Sequence, residues 1–285
     1  MHLFRFGPAG RERPAVLLPD GRRLDCSSFP GDFGPDFFAN DGLVRLATFV
    51  RSHRDQLPLV PQDARYGPCI GRPHKLFCIG LNYRKHAEET GSPIPQYPVV
   101  FTRFNNTLVP HKGKMLSTTH SKEFDWEAEL TIVIGKKCRN VPKEKALSVI
   151  AGYACFNDGS IRDWQRKSGG QFTLGKNFDG TGGFGPDIVT SDELPKGAAP
   201  LRIMTRVNGV TMQDSSTDDL IFDVPTLVHE LSKCMTLDPG DIIITGTPSG
   251  VAMARKPQPW LKPGDVCEVE IEGIGVLSNT IAQGA

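Results

Sequence analysis

The chain has 285 residues, 39% of them hydrophobic and 23% charged, and its 33 basic side chains nearly cancel its 32 acidic ones, leaving a net charge of +1. That length supports one large domain, or a main domain with an appendage, and a sizeable core. Near-neutrality removes the global field that nucleic acid or an anionic membrane would select.

No apolar run reaches the roughly 20 residues that span a bilayer, and the N-terminus lacks the basic-then-apolar layout of a signal peptide, so a cytoplasmic protein with no membrane partner is expected. The cysteines, Cys26, Cys69, Cys78, Cys138, Cys155, Cys234 and Cys267, form no C-x-x-C pair. Such a set fits reduced thiols better than a disulfide framework.

In chain order, "HLFRF", the turn "GPAGRERP" and "AVLLPDGRRLDC" predict a small β-hairpin module. "NDGLVRLATFVRSH" then predicts a helix with Leu43, Leu46, Phe49 and Val50 on one face and Asn40 or Asp41 as its cap. The proline- and glycine-rich "LPLVPQDARYGPCIGRPHK" marks a linker ending near residue 72, which divides a small N-terminal domain, 1–72, from a main domain, 73–285.

Beyond it, "KLFCIGLNY", "LTIVIG", "LRIMTRVNGV", "DIIITG" and "CEVEIEGIGVLSN" predict strands. "PKEKALSVIAGY", "RDWQRKS" and "DVPTLVHELSKCM" predict a few helices. Strands without regular helical crossovers point to an α+β fold, mostly β, with an antiparallel or mixed core. There is no G-x-G-x-x-G after a strand and no P-loop, which argues against a nucleotide cofactor.

The stretch "EFDWEAELTIVIGK" sets Glu127, Glu129, Thr131 and Val133 on one strand face and Ala128, Leu130, Ile132 and Ile134 on the other. The second face is core. The first holds two carboxylates roughly 7 Å apart, and such like charges repel unless a cation or water intervenes. Asp158, in "YACFNDGSIRDWQ", completes an all-oxygen trio of the kind that suits Mg²⁺, Mn²⁺ or, less well, Ca²⁺. Alternating carboxylates on a solvent-facing strand are the plainer explanation of an E-x-E pair.

In "GLNYRKHAEETG", His86 and Glu89 have the i, i+3 spacing of helix neighbours, so the carboxylate can fix the tautomer of a general base. A charged surface turn would show the same spacing. Lys176, between "QFTL" and a glycine-rich loop, is placed to meet a carboxylate or a developing enolate. In "DPGDIIITGTPSGV" a strand runs into a turn at Thr247 whose N–H groups can serve an anion. A non-catalytic metal-binding module would keep the trio without needing His86, Glu89 and Lys176. A nucleic-acid reader needs basic clusters with interleaved aromatics, and only "RDWQRK" hints at one.

Together, "IGLNYRKHAEE", "DWEAELTIVIGK", "AGYACFNDGSIRDWQ", "LGKNFD", "VNG" with a following "Q", "TGTPSGV" and "LKPGDVCEVEIEGIGVLSN" resemble the fumarylacetoacetate hydrolase family over roughly residues 73 to 281. The resemblance implies a mixed β-sandwich roll with a small N-terminal domain, usually a homodimer. It implies Glu127, Glu129 and Asp158 as metal ligands, His86 and Glu89 as a water-activating dyad on a lid segment, and Lys176 as a catalytic cation. Tyr83, Arg162, Gln165 and Thr247 match positions near the substrate.

The activity implied is metal-dependent hydrolysis of a carbon–carbon bond in a 1,3-dicarbonyl acid such as an acylpyruvate. The alternative is decarboxylation of oxaloacetate or keto–enol isomerisation on the same apparatus. Gly159 and Ile161 in "DGSIRD", and the glycines of "GTGGFGP", depart from the family's usual residues and are expected to reshape the pocket.

Overall fold

The branched and aromatic runs assemble into three sheets in the computed structural model, which describes residues 1–167 and 169–284. The largest has 11 strands. Its centre is the antiparallel trio Ala128–Ile134, Ile150–Asp158 and Gly182–Thr190, flanked on one side by Ile242–Ile244, Leu76–Gly80 and Val99–Arg103. The sheet is mixed, because Ile242–Ile244 runs parallel to Leu76–Gly80 while most other pairs are antiparallel. A five-stranded sheet, built on Arg202–Val207, Val266–Ile271 and Gly275–Gln283, faces it.

Period-two alternation decides which side chains meet. Leu130, Ile132 and Ile134 are fully buried and pack with Ile203, Val269 and Leu277 of the second sheet and with Leu227 and Val228 of the helix Val224–Cys234. Each such side chain contributes about 1.5–3 kcal/mol by leaving water. That helix begins at Asp223, whose carboxylate accepts the Thr226 N–H at 2.9 Å.

On the opposite face, Val133 joins Phe156 and Ile244 in a second cluster with Phe29, Phe33, Phe37 and Phe38 of the N-terminal segment. The strand His2–Phe6 also pairs with Gly182–Thr190, His2 lying opposite Val189. Residues 1–72 therefore share both a sheet and a core with the rest of the chain. The predicted helix after Asp41 is present at Gly42–His53, with Leu46 and Val50 buried. Asp41 is its N-cap residue but makes no side-chain cap bond.

Two expectations are corrected. "PKEKALSVIAGY" forms a 3-10 turn, Lys143–Val149, and then a strand, Ile150–Asp158. Ladder pairing on both edges of that strand outweighs the local helical pattern, and position 152 requires glycine because a Cβ there would lie 2.3 Å from the Val189 carbonyl oxygen. "GTGGFGP" is not a loop through the pocket, since from Gly182 it is a central strand whose small residues let Arg103 and Asn279 approach the backbone.

Candidate active site

Strand register brings the acidic residues together. Ala128 lies opposite Asn157, so Asp158 at the end of its strand falls beside Glu127, and the Asp158 N–H donates to the Glu127 carbonyl at 2.9 Å. One oxygen each from Glu127, Glu129 and Asp158 lies within 4.8 Å of the others, and all three residues are buried. Among the described residues they are the one group of three or more acidic, histidine or cysteine side chains close enough to share an ion.

Buried cations surround part of this trio. Lys176 Nζ lies 2.6 Å from both Glu127 Oε2 and Asp158 Oδ2, and Arg162 Nη2 lies 2.6 Å from Glu127 Oε1. The Arg162 contact is ionic only, its geometry unsuited to a hydrogen bond. Burial alone would raise the Glu127 pKa, but Lys176 and Arg162 pull it down from 4.5 to about 2.

Glu129 is different. It accepts the Gly246 N–H, and no lysine, arginine or histidine among the described residues pairs with it. Burial, then the Asp158 and Glu127 charges, push its carboxyl well above the usual range. Gly246 must be glycine here, since it has a φ of 101° and a Cβ would meet Asn82 Cβ at 2.7 Å.

His86 and Glu89 sit on the short helix Arg84–Glu89, and His86 Nδ1 meets Glu89 Oε2 at 3.1 Å. The other Glu89 oxygen accepts the Gly250 N–H at 2.8 Å, tying this helix to the turn that carries Thr247. His86, Glu127, Glu129, Lys176, Gln165 and Thr247 all line one cavity of about 440 Å³, together with Arg162. Ile79, Phe101, Phe172 and Met253 add apolar lining to it. A larger cavity, about 740 Å³ and bordered by His2, Asp187 and Arg202, lies elsewhere and contains none of these groups.

Tyr83 is placed otherwise than the sequence suggested. It is fully buried in the inter-sheet core, does not line the cavity, and its hydroxyl has no hydrogen-bond partner. Gly159 also turns away from the pocket, because a Cβ there would lie 2.2 Å from the Thr181 carbonyl oxygen and 2.8 Å from Met115 and Phe124. It is a packing requirement of the interior.

Three further residues support the site: Asp125 and Arg103 carry no assigned role in the sequence, and Gln213 enters it only as part of a family motif. Asp125 takes hydrogen bonds from Arg162 Nε at 2.8 Å and from the Ala252 N–H at 2.7 Å, which aims the guanidinium at Glu127. Its signal was the third acid in the period-two series Asp125, Glu127, Glu129. Arg103 pairs with Asp158 Oδ1 and donates to Thr181 Oγ1 at 2.6 Å. It shares a strand face with Phe101 of the cavity wall. Gln213, the glutamine after "VNG", links the Glu127–Glu129 strand to Thr247.

The donor set fits a hard divalent cation: the three groups that could hold one are all carboxylates, and Glu129 is buried with no cation paired to it among the described residues. Comparison with known proteins agrees with this chemistry. Residues 75–282 match the family model described as fumarylacetoacetate (FAA) hydrolase C-terminal, and every residue of the candidate site lies inside that span. A Burkholderia multivorans protein described only as a hydrolase is 42% identical over 276 residues, 96% of each chain.

Among solved structures, a fumarylacetoacetate hydrolase from Exiguobacterium antarcticum superposes with a TM-score of 0.85 at 34% identity, covering 100% of both chains. A 5-carboxymethyl-2-hydroxymuconate delta-isomerase from Mycobacterium smegmatis gives 0.76 at 30%, also over 100% of both. A maleylpyruvate hydrolase from Sphingobium sp. SYK-6, solved with manganese(II) and pyruvate, gives 0.81 at 27%, again over 100% of both. With its motifs in order, its mixed sheets and its match over most of its length, this chain belongs to the fumarylacetoacetate hydrolase family.

Proposed function

We propose that this protein is a Mg²⁺- or Mn²⁺-dependent hydrolase that cleaves the carbon–carbon bond of a 1,3-dicarbonyl acid of the acylpyruvate type. The observation that carries this reading is the meeting of a carboxylate trio, of which Glu127 and Glu129 line the cavity, with a histidine that lines the same cavity and is oriented by its own carboxylate. A bound divalent cation supplies chelation of the 2-oxo acid end and charge to delocalise the departing enolate.

The chain's own residues do the rest. Glu89 accepts from His86 Nδ1, which leaves Nε2 to take a proton from water. The resulting hydroxide adds to the distal carbonyl carbon, the carbon–carbon bond breaks, and the enolate leaves beside Lys176. His86 returns its proton to the enolate carbon, giving pyruvate and a carboxylic acid. Gln165, Arg162 and Thr247 hold the acid end, while Ile79, Phe101, Phe172 and Met253 favour an apolar acyl tail.

The test is turnover of an acylpyruvate panel plus oxaloacetate, with Mn²⁺ and then chelator, for the native protein, Glu127→Ala and His86→Gln. Cation-dependent release of pyruvate and a carboxylic acid, lost in Glu127→Ala and reduced about 10²- to 10⁴-fold in His86→Gln, is expected. Carbon dioxide from oxaloacetate alone, or isomerisation without cleavage, would move the assignment to the second reading. That reading is favoured by the isomerase among the similar structures, because moving a proton between carbons also needs a base, a role open to His86.

The same reading includes a homodimer. The edge strand Val99–Arg103 and its surroundings expose Tyr97, Val99, Val100, Phe104 and Leu174, an apolar edge of the kind a second copy would cover. Light scattering after gel filtration would give twice the 31.2 kDa of one chain, and a monomer would contradict it. Membrane insertion has no support from the helices, as none among the described residues is long and apolar enough to cross a bilayer.

A further inference from the structure

We infer that Gln213 is a positioning residue that fixes the direction of the Thr247 hydroxyl, making it a hydrogen-bond donor toward the cavity. The inference rests on the reading that a substrate carboxylate meets Thr247.

Gln213 is 1% exposed and all of its amide atoms are engaged. Its Oε1 accepts the Ala128 N–H at 2.9 Å and the Thr205 hydroxyl at 2.6 Å. Its Nε2 donates to the Pro248 carbonyl at 2.8 Å and to Thr247 Oγ1 at 2.9 Å. The orientation of the amide follows from the chemistry of two partners. A backbone N–H can only donate, so the atom facing Ala128 is the oxygen, and a backbone carbonyl can only accept, so the atom facing Pro248 is the nitrogen.

It follows that Thr247 Oγ1 must accept from Gln213. Its own hydrogen finds no acceptor on Gln213 and none elsewhere among the described residues. Thr247 is 4% exposed and lines the cavity with Glu127 and Glu129. The hydroxyl hydrogen is therefore presented to whatever occupies the cavity, and an anionic oxygen is the partner it suits best. A free threonine rotor would present lone pairs as readily as its hydrogen; here the choice is made before a ligand arrives. The site thus selects an acid end over an amide N–H or an ammonium at this position.

The chosen bonds also make the test specific. In Gln213→Glu the ionised side chain can only accept, so Thr247 would turn its hydrogen toward residue 213 and its lone pairs toward the cavity. Calorimetric titration of pyruvate into Mn²⁺-saturated native protein, Thr247→Val, Gln213→Glu and the double variant reads this, with Mn²⁺ titrated into each protein beforehand. Thr247→Val and Gln213→Glu should each weaken pyruvate roughly ten- to a hundredfold, the range for one hydrogen bond to a charged group. The double variant should be no weaker than either single one, Thr247→Ser should stay near native, and Mn²⁺ affinity should not fall in any variant.

If Gln213→Glu does not fold, as judged by circular dichroism, Gln213→Met serves in the same cycle with the same non-additivity. Multiplying losses in the double variant, or Mn²⁺ affinity falling in step with pyruvate affinity, would make Gln213 a scaffold residue and overturn the proposal. Uptake of Mn²⁺ without pyruvate by the native protein would overturn it while leaving the cation site intact. Failure to take up Mn²⁺ at all would remove the hydrolase reading and the proposal with it.

Discussion

Two clusters of opposite charges differ in a way that separates a fastener from a site. In the N-terminal segment Arg5 pairs with Asp32 at 2.6 Å and Arg65 with Glu12 at 2.9 Å, two cations against two anions. Asp32 and Arg65 keep 40% and 45% of their side chains exposed. At the end of the central strands, Asp125, Glu127 and Asp158 pair among the described residues with Arg103, Arg162 and Lys176, Glu129 pairs with no cation, and all seven residues are buried. A matched, half-solvated cluster can stabilise a fold modestly by itself. A buried cluster with a surplus carboxylate is costly unless something positive joins it, so its presence is better explained by binding than by stability.

The largest effect that would test this contrast is on folding. Arg103→Met leaves the buried Asp158 carboxylate short of a partner and should cost about 3–5 kcal/mol in urea unfolding. A cost below about 1 kcal/mol would put the inner cluster in the same class as the outer one.

Glu129→Gln should act in the opposite direction. A carboxyl whose folded pKa is raised penalises the fold above its unfolded value of 4.5, so the variant should be more stable in chelator at pH 7, on the order of 1–3 kcal/mol. The gain should fade as pH falls toward 4.5. Loss of stability in the variant would show that Glu129 is a structural group.

Acid unfolding in chelator should show two contributions. Burial, with Lys112 and Arg23 nearby, lowers the His111 pKa from 6.5 to about 4, so the stability present above 6.5 is lost as pH falls through that window. Its Nδ1 accepts the Ser278 N–H at 3.1 Å, as a neutral ring does. The Glu127 contribution is present above 4.5 and is lost between there and about 2. His111→Gln should remove the upper step alone, which thermal melts across pH 7 to 4 would show. The smallest effect belongs to the outer cluster, where Asp32→Asn should cost about 1 kcal/mol or less in the same unfolding assay.

Much of the site was legible because its residues follow local periods. Glu127 and Glu129 declare a shared face through period two, and His86 and Glu89 declare contact through i, i+3 spacing. The meeting of Asp158 with this pair depends on register between separate strands, which local pattern does not encode; residue type suggested the trio and the family motifs supported it. Arg103 was illegible for the same reason, since its partner lies 55 residues away.

Tyr83 shows the converse. Leu81 and His86, close to it in sequence, line the pocket, yet the Tyr83 ring lies in the inter-sheet core. The helical pattern of "PKEKALSVIAGY" failed because strand pairing on both sides, a tertiary event, outweighed it. The apolar ladder faces were predictable from alternation alone, as Leu130, Ile132 and Ile134 show.

The most direct test of the surplus-carboxylate account is a calorimetric titration of Mn²⁺ into the native protein, Asp32→Asn and Glu129→Gln. The account predicts uptake of one Mn²⁺ per chain by the native protein and by Asp32→Asn, and none by Glu129→Gln. Equal uptake by Glu129→Gln, or no uptake by the native protein, would contradict it.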